Sequence, residues 1–279
     1  MAPHWKCGSG QPVEGSNPSL SATFPGATAR RPDDPPRPGD PPRPGDTRGH
    51  VTRPGALEVL ALPMGEFTFA AGEAYEGQTG VAVAYAIRHA TGTFLFDTGF
   101  GFGNDELDSY YRVRARRLPE VLSGAGVDLA EISALANCHL HADHSGQNAL
   151  FAGIPIYVQP AEWAAAHEPD YTILDWIDFP GARYEHRAGD HEVGPGLRIF
   201  ATPGHSPGHQ SLVVEVPDGP ILLAGQAVYS HGEWTGTAGE REGASVARDG
   251  PAYGASVARL RALSPKRVLF GHDRRGWPG

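Results

Sequence analysis

Two cysteines, Cys7 and Cys138, are all that 279 residues contain. That is too few for a disulfide framework and suits a reducing compartment, so a cytoplasmic location is expected. No apolar run approaches the ~18 residues that span a bilayer, so no membrane partner is expected. MAPHWKCGSG, at the start, lacks the apolar stretch of a secretory signal. Basic charge is also in short supply. The net charge is −9, which excludes a duplex-binding surface and makes nucleic acid an unsuitable partner. Neither a Rossmann nor a P-loop fingerprint is present. What the chain does have is histidine, thirteen in all, with several close together.

Proline is concentrated at one end. Residues 1–55 hold 12 of the 26 prolines and repeat DPPRPG at 34–39 and 40–45. Such density removes backbone donors and fixes φ, and few large apolar residues offset the entropy of ordering. The segment is expected to be a disordered extension. GSNPS at 15–19 reads like a translated transfer-RNA arm, which places the expected native start near Met64 or just upstream. The extension carries a net charge of +2, leaving −11 on the remainder.

Residues 56–279 read as one domain of short apolar runs separated by turn signals. Strands are expected at 57–62, 81–87, 93–97, 132–138, 154–159, 197–202, 211–216, 220–225 and 267–271. PDG at 217–219 suits a tight hairpin turn. Helices are expected over 104–124, from Pro160 onward and over 251–263. Strands in runs with interspersed helices indicate a mixed α/β (α+β) domain with two sheets.

At 139–144 the chain reads His-Leu-His-Ala-Asp-His. Alternation along the strand entering this cluster puts His139 and His141 on one side and aims Cys138 to the other, as a core thiol. Asp143 and His144 follow where the strand gives way to a loop. Imidazole and carboxylate are the donors that zinc and similar cations accept. One loop cannot complete a site, and further histidines do follow other strands: His205 and His209 in TPGHSPGH (202–209), and His272 in FGHD (270–273).

Together with FDTG at 96–99, these motifs resemble those of the metallo-β-lactamase-fold hydrolases. The best match within them is the group of N-acyl-homoserine lactonase-like enzymes. The resemblance covers essentially all of 56–279 and implies a four-layer αββα sandwich with one or two divalent ions, zinc first, at the edge between the sheets. It implies that His139, His141 and His205 bind one metal and that Asp143, His144 and His272 bind the other. His209 is implied to be structural, and Asp97 to orient ligands. It further implies hydrolysis of a lactone by attack of metal-bound hydroxide, with Tyr229 supporting the carbonyl oxygen and Asp143 protonating the leaving group. N-acyl-homoserine lactones are the first candidate substrate, and quorum quenching the implied role.

One position departs from the pattern. LLAGQAVY places Gln226 where the lactonases have a metal-bridging Asp, with Tyr229 at the expected Tyr. An amide oxygen can coordinate one metal but bridges two poorly, so the second metal is expected to bind more weakly. Three readings remain open: a lactonase, a thioesterase or general esterase of the same fold, and a degenerate binding member that lost activity. Gly-rich 65–80 offers Phe67 and Phe69 as apolar walls for the substrate, and 168–180 offers Tyr171, Trp176 and Phe179. The sequence leaves a homo-oligomer open.

Overall fold

The computed structural model describes residues 57–71, 75–90, 92–237 and 247–278. The expectations for residues 1–55 lie outside the described residues. The first sheet takes β1 (Glu58–Thr68), β2 (Thr79–His89), β3 (Gly92–Phe96), β4 (Arg114–Ala115), β5 (Ile132–Ala136), β6 (Pro155–Val158) and β7 (Arg183–His186). Their spatial order is β4-β1-β2-β3-β5-β6-β7. Strands β1 to β3 pair antiparallel, and β3, β5, β6 and β7 pair parallel.

The second sheet takes β8 (His191–Gly194), β9 (Leu197–Ala201), β10 (Gln210–Val216), β11 (Gly219–Leu223), β12 (Arg267–Leu269) and β13 (Trp277–Pro278). It runs in reverse chain order, β13-β12-β11-β10-β9-β8. The helices are α1 (Asp105–Tyr111), α2 (Leu118–Gly124), α3 (Ala142–Ser145), α4 (Pro160–Ala166), α5 (Leu174–Ile177), α6 (His231–Thr235) and α7 (Gly250–Ala262).

Period-two patterning sorts the side chains into layers. In β2, Val83, Tyr85 and Ile87 face the second sheet and pack with Ile199, Leu212, Val214 and Leu223. The alternate residues Ala82, Ala84 and Ala86 face outward under Leu107, Leu118 and Leu122 of α1 and α2. Alanine there keeps the helices close to the sheet. On the far side, Val213, Leu222 and Val268 pack beneath Leu260 of α7. Both sheets are therefore covered on both faces, and the expected αββα sandwich is present. Burying each large aliphatic or aromatic side chain contributes about 1.5–3 kcal/mol.

Several boundaries differ from expectation. β1 continues through Pro63 to Thr68, because a register shift between Pro63 and Gly65 absorbs the proline. Residues 65–68 are thus strand, and a chain starting at Met64 would lack the Glu58–Pro63 half of β1. The helix expected over 104–124 is two helices: Arg112, at φ 48°, ends α1, and Arg114–Ala115 then pair with β1. The strand expected to reach Cys138 ends at Ala136. The 217–219 turn forms as expected, with Val216 paired to Gly219.

Candidate metal centre

Each histidine-bearing segment leaves the end of a strand, 137–144 after β5, 202–209 after β9 and 270–273 after β12, and the segment carrying Gln226 and Tyr229, 224–229, does the same after β11. These ends meet at one edge of the sandwich. The backbone of the first loop is held from several directions. Thr98 N–H donates to the His144 carbonyl at 2.7 Å, and Asn137 Nδ2 donates to the same oxygen at 2.9 Å. Ser145 Oγ donates to the His141 carbonyl at 3.0 Å. His139 and His141 lie beyond the strand, so it is this loop, rather than strand alternation, that aims them.

Two triads result. His139 Nε2 lies 2.8 Å from His141 Nδ1 and 3.2 Å from His205 Nε2, and the third side, His205 Nε2 to His141 Nδ1, is 3.3 Å. Four donors placed tetrahedrally about zinc at ~2.05 Å stand about 3.3 Å apart, so this triangle matches one face of such a shell. In the second triad Asp143 Oδ2 is 3.2 Å from His144 Nε2 and 3.4 Å from His272 Nε2, and the two imidazole nitrogens are 3.2 Å apart. Both triads therefore fit a divalent cation. Gln226 Oε1, buried beside them, has no hydrogen-bond partner among the described residues, which is the state of an oxygen left for a ligand.

Several of the nitrogens facing away from the triads are also employed, whereas His205 Nδ1 is buried with no hydrogen-bond partner among the described residues. His144 Nδ1 meets Asp97 Oδ2 at 3.0 Å, and Asp97 Oδ1 accepts from the Cys138 N–H at 2.7 Å. Asp97 sits at φ 67°, a sparsely populated region that this double role enforces. His272 Nδ1 donates to the Val81 carbonyl at 2.7 Å, leaving Nε2 as the free lone pair. His209 Nδ1 meets Thr202 Oγ1 at 2.8 Å and its Nε2 accepts the Gln226 N–H at 3.0 Å; it holds the Gln226 backbone and is already satisfied. Cys138 is a buried free thiol, but it is not aimed away from the cluster. Because the strand has ended, Sγ lies 3.1 Å from His139 Nδ1 and 3.3 Å from His144 Nδ1.

Electrostatics separate the triads. Burial and then the neighbouring imidazoles hold His139 far below the usual histidine range, and His205 likewise. Burial lowers His272 to about 4, against the partial opposition of Asp143. His144 goes the other way: burial opposes protonation, but Asp143, Cys138 and Asp97 together raise it well above the usual range. Asp143 is held low, since His144, then His272 and His141, outweigh the upward push of burial.

The triads open into a cleft whose other wall is apolar. Phe67, Phe69, Phe100, Leu107 and Tyr111 face His141, Asp143, Gln226, Tyr229 and His272, with Tyr171 at the side. The Tyr229 ring stacks on His272 (4.8 Å between centroids) and on Tyr75 (5.3 Å). Of the aromatic side chains expected to shape the substrate site, Phe67, Phe69 and Tyr171 reach the cleft. Trp176 does not, and lines a separate hollow with Phe102 and Leu150, while Phe179 lies in the core.

Phe100, Leu107 and Tyr111 of the cleft wall went unnoticed in the sequence, and so did one charged residue behind the first triad. Glu162, on α4, is 1% exposed and accepts four hydrogen bonds. Oε1 takes the Leu140 N–H (2.8 Å) and the Tyr171 hydroxyl. Oε2 takes the Ser206 hydroxyl (2.6 Å) and the Gly208 N–H (3.2 Å). Burial pushes this carboxyl up, while the four donors hold it down. An acidic residue in a helix's first turn is ordinary, so nothing in the sequence set Glu162 apart. GHSPG (204–208) also has the letters of a serine nucleophile elbow. Its serine is committed to Glu162, and the segment runs into β10 where an elbow would start a helix.

The sequence model of the Metallo-beta-lactamase superfamily matches residues 77–272. The chain belongs to that superfamily. As a member it is a hydrolase, of a family that uses divalent metal. Among its relatives, an N-acyl homoserine lactonase of Bacillus sp is 33% identical over 205 residues, 68% of this chain and 80% of the relative. That of Bacillus cereus is 35% identical over the same span. A solved quorum-quenching N-acyl homoserine lactone lactonase superposes with a TM-score of 0.67 at 26% identity, covering 79% of this chain and 93% of the other. No described helix is long and apolar enough to cross a membrane.

Proposed function

We propose that this hydrolase opens lactone rings, with N-acyl-homoserine lactones the first candidates and quorum quenching the consequence in a cytoplasmic setting. Two cation-sized triads beside an apolar cleft are the observation that carries the reading, and the lactonase relatives support it. His139, His141 and His205 would hold one ion, zinc being the first candidate, and Asp143, His144 and His272 a second, with Gln226 adding an oxygen. A bound divalent ion would polarise the carbonyl and make water reactive near neutral pH.

The remaining work falls to side chains of this chain. Phe67, Phe69 and Phe100 take the acyl group and exclude water from the reacting carbonyl. Tyr229 donates a hydrogen bond to the carbonyl oxygen as negative charge gathers there. Water adds to the carbonyl carbon, the ring C–O bond breaks, and Asp143 passes the proton released by water to the departing alkoxide. The products are one carboxylate and one alcohol.

Gln226 favours a second reading at the same site. Its amide would bring no negative charge to a pair of cations held here, so a second ion would be held more weakly and leaving groups that need little help would react best. A screen over acyl-homoserine lactones, thioesters and aryl esters, with metal content measured on the same sample, tests both readings. Lactone turnover is expected. Turnover confined to thioesters or aryl esters would reassign the substrate, and none at all with any divalent metal would leave a degenerate member.

A further inference from the structure

We infer that Glu162 is a positioning residue that sets the gap between the two loops forming the first triad; this rests on the metal-dependent reading above. His139 and His141 belong to one loop and flank Leu140, whereas His205 comes from a loop more than sixty residues further on, next to Ser206. A cation held by all three needs those loops at a fixed separation, and among the described residues their backbones are joined only where they meet the strands, by Gln210 N–H to the Cys138 carbonyl at 2.7 Å. Glu162 spans them. One carboxylate oxygen holds Leu140 N–H, between the first two ligands, and the other holds Ser206 and Gly208.

The loops are built to reach it. Gly208 lies so close to α4 that a Cβ there would stand 2.1 Å from the Glu162 nitrogen. Tyr171, held by the same oxygen as Leu140, lays its ring 4.6 Å from that of His141 and supports it from the cleft side.

The Leu140 and Gly208 N–H groups can only donate and sit on different oxygens, so only a carboxylate satisfies both loops. In Glu162→Gln a single amide oxygen remains. Whichever way the amide turns, its NH2 faces either the Leu140 or the Gly208 N–H, and that loop loses its backbone tether, keeping only a hydroxyl contact that must reverse to accept. Ser206→Ala is the milder variant and removes one contact beside His205.

The test reads metal binding and not turnover. Metal-stripped full-length chain is titrated with Co²⁺ against a chelator, recording the visible absorption of the bound ion and the melting temperature of the metal-free protein. Glu162→Gln is expected to weaken Co²⁺ binding about 10- to 100-fold and to alter the absorption band, with Ser206→Ala smaller in the same direction. A purely structural Glu162 would lower the melting temperature with affinity and spectrum unchanged, and that result overturns the inference. If Glu162→Gln does not fold, Ser206→Ala decides, unchanged binding again overturning it. Wild-type chain that takes up no Co²⁺ would bring down the metal-dependent reading and this inference together, whereas equal binding by wild type and variants removes the inference alone.

Discussion

The two triads lie side by side, yet they are assembled differently. His139, His141 and His205 form an all-imidazole group, kept neutral by burial and spanned from behind by Glu162. The second triad contains a carboxylate, and its central His144 stands between Asp143 and Asp97 at 3.2 and 3.0 Å. The first is therefore prepared for a cation by desolvation, which keeps lone pairs free of protons. The second is prepared by charge, which also invites a proton onto His144 when no cation is there. A cation at the second triad would have to displace that proton, and Gln226 would offer it a neutral amide oxygen but no charge.

Removing a ligand from the first triad should have the largest effect. His205→Ala is expected to abolish tight binding of one ion and to cut turnover about 10³-fold or more, since metal assistance is worth several kcal/mol; metal analysis and kcat measured together would show it. Asp97→Asn should loosen the second ion by about 10- to 100-fold while sparing the first. Equal loss at both sites in a two-phase titration would dissolve the distinction between the triads.

Gln226→Asp should act in the opposite direction. It is expected to tighten the second ion by about tenfold or more, because an added charge near 4 Å is worth about 1–4 kcal/mol. The quantity to measure is metal equivalents retained after dialysis. No gain would mean that the glutamine costs the second site nothing.

Acid should act on the metal-free fold as well. His272 titrates at about 4 in the fold against 6.5 ordinarily, so the unfolded chain binds the extra proton between those values. The metal-free fold should lose stability as pH falls from about 6.5 through about 4, followed as a decline in melting temperature. Bound metal should deepen the contrast, because cation and proton compete for the same nitrogens.

The sandwich was legible because alternation in VAVAYAI and SLVVEV survives in the sequence of β2 and β10. The interruption at Pro63 hid the second half of β1, and the two-residue β4 and β13 are too short to show a period. His139, His141, Asp143, His144, His205 and His272 stood out because chelating side chains cluster rarely. Glu162 and the position of Cys138 did not, since a glutamate in a first turn and a cysteine after a strand each have many ordinary uses.

The sequence by itself determined which donors this chain brings and which strands deliver them, because ligand chemistry and side-chain periodicity are local properties. Only the tertiary structure decided the gaps between donors, the carboxylates that raise the proton affinity of His144, and the Glu162 tether between loops far apart in the chain. Distances of 3 Å between segments sixty or more residues apart depend on how two sheets pack, and no local pattern encodes that.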